Sequence, residues 1–412
     1  MDTQVEVLAP AGSFASLTAA LQGGADSVFF GVGALNMWSG SNVNFTVGDL
    51  PEVVATCHAQ GVRCYLTANT IVYNEELAAL RELLEAAQRA GVDAVIASDV
   101  AAIFTARELG LRVHISTQLS ISNTPGVRFY SQWADVVVLA RELTLGQVKA
   151  IADDIAREEI RGPSGDLVRI EAFAHGALCM AISGKCYLSL HEAARSANRG
   201  QCVQICRRSY TLTDTETGNQ IEVDNQYLMS PKDLCTIDIL DRLLECGVGV
   251  LKIEGRARSP EYVKVTTACY KRALAAIGRG EYTPALIAEL KAELETVYNR
   301  GFWHGYYHGA RAGEWAGIYG SAATERKRIL GVVTNYFSKA GVAEIRIETT
   351  SLNRGANLYI IGDKTGVVEA DGVECWYEDR PAEVVPQGGI CTLRVPGNVR
   401  RGDKVFLRER VG

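Results

Sequence analysis

The chain has 412 residues, 47% of them hydrophobic and 22% charged, with a formal net charge of −6. These proportions describe a globular protein with room for one large domain and one smaller one, and the acidic total argues against a chain that coats nucleic acid indiscriminately, while leaving room for a local basic patch. No apolar run reaches the roughly 18–20 residues of a membrane span. Met1-Asp2-Thr3-Gln4 has neither the basic start nor the apolar core of a signal peptide, so the expectation is a cytoplasmic protein without a membrane partner, whose eleven cysteines stay reduced.

One phrase recurs along the chain: an amphipathic helix, a glycine, one or two residues, then a short apolar strand. Gly24, Gly61, Gly91, Gly110 and Gly247 occupy the glycine place, where a left-handed residue ends a helix. The strands are short, continuous apolar runs, as in a parallel sheet buried on both faces. In order they are Glu6–Leu8, Val28–Phe30, Cys64–Leu66, Ala94–Ile96, Val113–Ile115, Val136–Leu139, Ile170–Phe173 and Leu251–Ile253. Between the third and fourth, a helix over Glu76–Ala90 should bury Leu77, Leu80, Leu84 and Ala87 on one face. Eight strands separated by helices predict an α/β fold, a (β/α)8 TIM-like barrel, over an open doubly wound sheet.

Ser259-Pro260-Glu261 opens a helix to about Ile277, a second spans Pro284–Tyr298, and the aromatic, glycine-rich stretch Gly301–Tyr319 reads as a linker or packing loop. From about Ile329 the pattern changes to short alternating strands with turn signals, which predicts a small all-β barrel. The expected domains are therefore 1–320 for the (β/α)8 barrel, containing a Cys-rich segment at 176–210, and 326–412 for a C-terminal β-barrel.

Chemistry in such barrels gathers at the C-terminal ends of the strands. Those ends carry Asn69, Ser98-Asp99, Ser116-Thr117-Gln118, Arg141-Glu142, His175 and Glu254-Gly255-Arg256, a polar ring suited to a small anionic molecule. Arg141, Glu254 and Arg256 stand out because charges that directly follow buried strands need a partner or a ligand. Arg–Glu pairing across the mouth is one explanation, and binding of a substrate carboxylate is the other.

The loop after the seventh strand is far longer than a βα loop needs to be. It carries Cys179, Cys186, Cys202 and Cys206 among Gly176, Gly184 and Gly200. Soft thiolates in this number suit zinc or an iron–sulfur cluster; only Cys202 and Cys206 have the tight spacing zinc sites favour, and four unliganded thiols are the structural alternative. Cys235 is an alternative fourth ligand. Cys57, Cys64, Cys246 and Cys269 sit in apolar patterns and read as small core residues. Lys185, Arg195, Arg199, Arg207 and Arg208 crowd the same loop, and Arg326-Lys327-Arg328 with Arg394, Arg400, Arg401, Lys404, Arg408 and Arg410 mark the β domain. Such charges either pair with acids or form a phosphate-binding rim compatible with RNA.

The blocks Glu171-Ala172-Phe173-Ala174-His175-Gly176-Ala177-Leu178-Cys179, Gly184-Lys185-Cys186-Tyr187-Leu188-Ser189, Asn198-Arg199-Gly200-Gln201-Cys202, Ser230-Pro231-Lys232-Asp233-Leu234-Cys235 and Lys252-Ile253-Glu254-Gly255-Arg256 closely resemble the signature of the peptidase U32 family. The opening Leu8-Ala9-Pro10-Ala11-Gly12 is similar to that family too, and the resemblance covers most of residues 5–265. The family takes its name from collagenase-like proteases. It also contains oxygen-independent hydroxylases, which act on the wobble uridine of tRNA with prephenate as hydroxyl donor, on a cytidine of 23S ribosomal RNA, or on ubiquinone precursors. The resemblance implies a [4Fe–4S] cluster on Cys179, Cys186 and Cys202, with Cys206 or Cys235 as fourth ligand. The extra β domain makes the tRNA-hydroxylase branch the nearest match, with 5-hydroxyuridine as product, prephenate as co-substrate, tRNA as partner, and pairing with a second family member left open. On this reading Arg141, Glu254, Arg256 and His175 are the candidate catalytic or substrate-binding residues.

Two other readings stand beside it. A peptidase lacks a recognisable motif: His191-Glu192-Ala193-Ala194-Arg195 has Arg where a second zinc-binding His would stand, and only a Cys179–His175 pair could serve as nucleophile and base. A zinc-stabilised RNA-binding scaffold is the non-enzymatic alternative.

Overall fold

The computed structural model describes residues 5–40, 44–208, 210–223, 229–310, 313–318 and 320–411. The first four residues, and residues 311, 312 and 319 of the aromatic stretch, lie outside them.

Eight parallel strands close on themselves. β1 (Glu6–Ala11), β2 (Ser27–Gly31), β3 (Arg63–Ala68), β4 (Ala94–Ala97), β5 (Val113–Ile115), β6 (Val136–Val138) and β7 (Arg169–Gly176) pair in chain order. After the hairpin β8 (Tyr210–Thr213) and β9 (Gln220–Val223) and the short β10 (Asp233–Cys235), strand β11 (Val248–Ile253) bonds to both β7 and β1. All eight strands expected from the apolar runs are present, and the barrel is closed. Helices α1 (Phe14–Gln22), α2 (Leu50–His58), α3 (Leu77–Ala90), α4 (Val100–Glu108), α5 (Thr124–Tyr130) and α6 (Leu145–Arg157) fill the crossovers. In α3, Leu80, Leu83, Leu84 and Ala87 are buried but Leu77 is exposed; it stands in the first turn, just after the 3-10 turn Asn74–Glu76, and Leu83 completes the buried face instead.

Inside the barrel, Leu8, Phe29, Tyr65, Ile96 and Val250 form a compact apolar plug. Polar layers interrupt it. Near the N-terminal ends of the strands, buried Glu6 accepts hydrogen bonds from Ser27 Oγ at 2.5 Å and Tyr65 Oη at 2.7 Å, and pairs with Arg63 at 2.6 Å and Arg169 at 3.0 Å. Toward the mouth, Lys252 Nζ meets Glu171 Oε1 at 2.6 Å, both side chains being buried. Each acid is paired, as burial of a charge requires.

The excursion after β7 is the main departure from a plain barrel. It contains α7 (Leu188–Ala193), two 3-10 turns, the β8–β9 hairpin, and β10, which runs antiparallel to β7. α8 (Leu240–Glu245) returns the chain to β11, and α9 (Pro260–Arg279) and α10 (Pro284–Thr296) follow. β12 (Phe302–Trp303) then adds to the edge of β10, so the aromatic stretch is bound into the main sheet, with Trp303 and Tyr307 buried, and does not act as a linker.

The C-terminal region is all-β with its own apolar core around Leu330, Ile345, Leu358, Ile360, Leu393 and Val405. Its strands are β13 (Glu325–Phe337), β14 (Val342–Ile347), β15 (Leu352–Asn353), β16 (Asn357–Gly362), β17 (Gly366–Ala370), β18 (Cys375–Tyr377), β19 (Arg380–Ala382), β20 (Val384–Val385), β21 (Ile390–Arg394) and β22 (Lys404–Arg410). Eight of them form one antiparallel sheet running from β17 at one edge to β19 at the other, and β15 pairs separately with β20. The expected small all-β domain is thus present as an antiparallel sheet region in which the long β13 pairs with both β22 and β14. The sheet docks on α1 and α9: Gln22 bonds Thr365 O and the Val367 N–H, both at 2.9 Å, Lys264 pairs with Glu369 at 2.9 Å, and Val367, Tyr359 and Ile361 join the barrel's own core.

Candidate active site at the barrel mouth

The Cys-rich excursion folds back over the C-terminal ends of the strands and roofs a cavity of about 150 Å³. Two close backbone approaches hold it there. Gly176 has φ +107° and a Cβ on it would stand 2.2 Å from Glu254 O; Gly200 has φ +73° and a Cβ would stand 2.1 Å from Asn36 O. Glycine is the residue that tolerates both conditions. Gly40 N–H donates to Gly200 O at 3.1 Å and Ser39 Oγ to Arg199 O at 3.0 Å. The Arg199 guanidinium lies over the Tyr73 ring and is forked onto Glu76, Nη1 to Oε2 at 2.6 Å. Arg207 ties the other end: its Nη1 donates to Ser230 Oγ at 2.8 Å and Pro231 O at 2.7 Å, its Nη2 to Leu178 O at 2.8 Å.

Cys179, Cys186, Cys202 and Cys206 all line this cavity. Cys179 and Cys202 are the most accessible, yet the Cys179 thiol is walled in by protein. Burial pushes it up, while the Ala181 N–H and the Arg141 charge oppose the rise. Burial likewise pushes the Cys206 thiol up to about 11. Cys202 Sγ accepts from the Gln204 N–H at 3.4 Å and Ser189 Oγ at 3.7 Å. Among the described residues no three of these sulfurs lie within 4.8 Å of one another. A single tetrahedral zinc at Zn–S of about 2.3 Å needs sulfurs about 3.8 Å apart, whereas a polynuclear cluster spreads its ligands wider. The four thiol donors and the N–H groups aimed at sulfur suit a thiolate-bound metal centre, and the sulfurs are not gathered as a single tetrahedral zinc would need.

Cys235 does not join them. It lies in β10 opposite His175, 2% exposed, with its thiol pushed up to about 12 by burial. The sequence left it as an alternative fourth ligand; the added strand carries it into the core. His175 requires a similar correction. It does not line the cavity but packs among the rings of Tyr262, Tyr270 and Phe302, with Nδ1 3.5 Å from Tyr270 Oη. Burial and then the Arg258 charge lower its pKa to about 3, and it sits in the core, off the cavity that Cys179 lines. Cys57, Cys64, Cys246 and Cys269 are buried core residues, as their apolar settings suggest.

Arg141, Glu254 and Arg256 converge below the thiols. Arg141 stacks on Phe173 at 3.6 Å and donates to Ala177 O at 3.0 Å; its contact with Glu254 is a loose 4.0 Å. Arg256 Nη1 bonds Thr67 Oγ1 at 2.7 Å and Asn36 Oδ1 at 3.3 Å, and burial draws its pKa down to about 10 despite the nearby Glu254. Among the described residues, Arg141 Nε, Arg256 Nε and Glu254 Oε1 are buried without a hydrogen-bond partner, a costly state that a polar ligand would relieve. Asn69, Gln118 and Lys252 also line the cavity. Lys252 was missed by the sequence reading as a site residue, although a lysine inside the apolar run Val250-Leu251-Lys252-Ile253 was the available signal. Asp99, from the same ring of strand ends, is a helix N-cap.

The profile of peptidase family U32 matches residues 12–317. The chain belongs to that family. Relatives of this U32 chain carry two kinds of name. A protein named collagenase from Porphyromonas gingivalis is 51% identical over 98% of both chains. The tRNA hydroxylation protein P1 of Bacillus subtilis is 35% identical over 72% of this chain and 69% of its own. The 23S rRNA 5-hydroxycytidine C2501 synthase of Escherichia coli is 36% identical over 66% of this chain and 40% of its own. Among the described residues, no helix of this U32 protein is long and apolar enough to cross a membrane.

The basic residues fare unevenly. Arg326 and Arg328 are paired with Glu409, Lys327 with Glu261, Arg408 with Glu325, Glu369 and Asp371, and Arg208 with Glu192. Their pairing lessens what they offer to phosphate; Lys185 and Arg195 stand exposed on the excursion.

Proposed function

We propose that this protein is an RNA hydroxylase that converts a tRNA wobble uridine to 5-hydroxyuridine, with prephenate as the hydroxyl donor and a [4Fe–4S] cluster as cofactor. The observation that carries the reading is the coincidence in one cavity of four thiols with three buried, partnerless polar atoms of Arg141, Arg256 and Glu254. The names of the Bacillus and Escherichia relatives support it.

Cys179, Cys186, Cys202 and Cys206 would hold the cluster, which when bound supplies redox and Lewis-acid chemistry beside the donor. The chain's own residues do the rest. Arg141 and Arg256, preorganised by Phe173, Thr67 and Asn36, would bind the carboxylates of a dianionic donor by charge-assisted hydrogen bonds. Lys252 adds positive potential at the cavity floor, damped by Glu171. Glu254 Oε1 is placed to accept from a donor hydroxyl. The roofing excursion limits water, which strengthens these interactions.

The collagenase name of the Porphyromonas relative favours a second reading, peptide hydrolysis. No histidine lines the cavity among the described residues, so Cys179 has no neighbouring imidazole base there. Nucleoside mass spectrometry of tRNA from a deletion strain and its complemented parent tests the proposal. Loss and restoration of 5-hydroxyuridine are expected. Undiminished 5-hydroxyuridine in a strain lacking any paralogue would overturn it, as would gelatin cleavage by the purified protein that is abolished in Cys179→Ser.

A further inference from the structure

A second cavity, of about 170 Å³, adjoins the first and shares Arg141, Leu178 and Cys179 with it. Its far wall is aromatic, built from Trp303, Tyr306 and Trp315, the stretch that reads by sequence as linker or packing. These rings are placed by backbone pairing. β12 carries Trp303 onto the edge of β10, and its Nε1–H donates to Lys232 O at 3.1 Å. Tyr306 meets that indole edge-on, with centroids 5.4 Å apart. Trp315 is held by a bridge to Pro231, followed by the Ala316 N–H donating to Ser230 O at 2.7 Å. Trp303 is buried, but Tyr306 and Trp315 are only half-buried and line open space.

We infer that this cavity is the subsite for a single pyrimidine base turned out of an RNA strand, stacked against Tyr306 and Trp315 with its polar edge toward Arg141. The inference rests on the hydroxylase reading and adds where the target ring sits. An enzyme that acts on a base must take it out of its stack, and such pockets pair aromatic faces with polar groups for the base edge. Here the aromatic wall faces the hydroxyls of Thr117 and Ser120 and the guanidinium of Arg141, the side chain that both cavities share. The volume admits a planar ring, since a cavity of about 150 Å³ holds benzene. The shared wall at Arg141 and Cys179 brings a base in the second cavity up against a donor held in the first.

The test uses the full-length protein, a uridine-containing hairpin RNA and prephenate. Trp315→Ala and Tyr306→Ala are each expected to weaken hairpin binding about 5–150-fold, the effect of losing one base–aromatic stack. Trp315→Phe should keep most of the affinity, and prephenate binding by calorimetry should be unchanged in all three. Thermal melting confirms that each variant is folded, and Trp315→Phe keeps the test decisive if an alanine variant is not. If wild-type protein hydroxylates RNA while the folded alanine variants bind and turn over the hairpin normally, the subsite is overturned and the hydroxylase reading survives. If wild-type protein hydroxylates no RNA, that reading fails and the subsite fails with it.

Discussion

Arg141 Nη2 stands 4.0 Å from Glu254 Oε2, with Nε of one and Oε1 of the other left without a partner among the described residues. A charge-assisted pair formed for stability alone closes to about 2.7–2.9 Å. The gap marks a pair held apart, by the Phe173 ring and the Ala177 carbonyl on the arginine side, so that both groups remain available to a ligand.

Arg256→Gln removes one charge from that ligand site, together with the Nη1 hydrogen bonds to Thr67 Oγ1 and Asn36 Oδ1 that the shorter amide does not reach. A hydrogen bond to a charged group is worth about 1.5–3 kcal/mol, so the Kd for prephenate should rise roughly 10–150-fold. Calorimetric titration checks this; an unchanged Kd would place the donor elsewhere.

The cysteines divide by position. Cys179→Ser, Cys186→Ser, Cys202→Ser and Cys206→Ser should each lower iron and sulfide content after anaerobic reconstitution. Cys235→Ala, buried beside Tyr270 and away from the cavity, should retain the full content. Loss of iron in Cys235→Ala together with retention in Cys206→Ser would reverse the assignment of the fourth ligand.

Lys252→Met leaves Glu171 buried with its main countercharge gone. Burial alone would raise the Glu171 pKa, and it is chiefly Lys252, then His114, that hold it below the usual range. Breaking such a pair costs about 3–5 kcal/mol, visible as a lower urea midpoint. Lys252→Met/Glu171→Gln should recover most of the loss, since the orphaned charge is then absent.

The pin between Arg199 and Glu76 should make the roof acid-sensitive. Hydrogen bonding from Arg199 draws the Glu76 carboxyl from 4.5 to about 2. Because the folded value is lower, the stabilisation is fully present above about pH 4.5 and is lost as pH falls toward 2. For a partly exposed pair it is at most about 1 kcal/mol. Hydrogen exchange over residues 196–202 should quicken in that window, and Glu76→Gln should show the faster exchange at neutral pH.

His175, neutral down to about pH 3 because of its burial and the Arg258 charge, should leave no trace in a pH–rate profile. It should appear in stability instead: the unfolded chain takes up a proton below its ordinary value of 6.5 and the folded one does not, so stability falls as pH drops from 6.5 toward 3. His175→Gln should flatten that part of the acid limb, as measured by urea unfolding at successive pH values. An unchanged limb would show that the imidazole titrates freely.

The eight strands were legible because each is a short, nearly continuous apolar run, five of them introduced by a glycine that ends the preceding helix, a pattern set by burial on both faces that needs no partner to be recognised. The thiol-rich excursion and the charges at strand ends were legible for the opposite reason: they break that pattern where a barrel exposes its mouth. What only the tertiary structure decided is which of these groups share a space. Cys235 and His175 follow apolar runs just as plausible sites do, but the β7–β10 pairing sends both into the core, and Lys252, a visible charge within an apolar run, reaches the cavity floor through a register set by its neighbouring strands. The aromatic stretch after α10 becomes a cavity wall only because β12 finds the free edge of β10. Periodicity reports how a residue faces its own strand or helix, whereas a site is made by elements distant in sequence, and hydrogen-bonded registers between them fix that convergence.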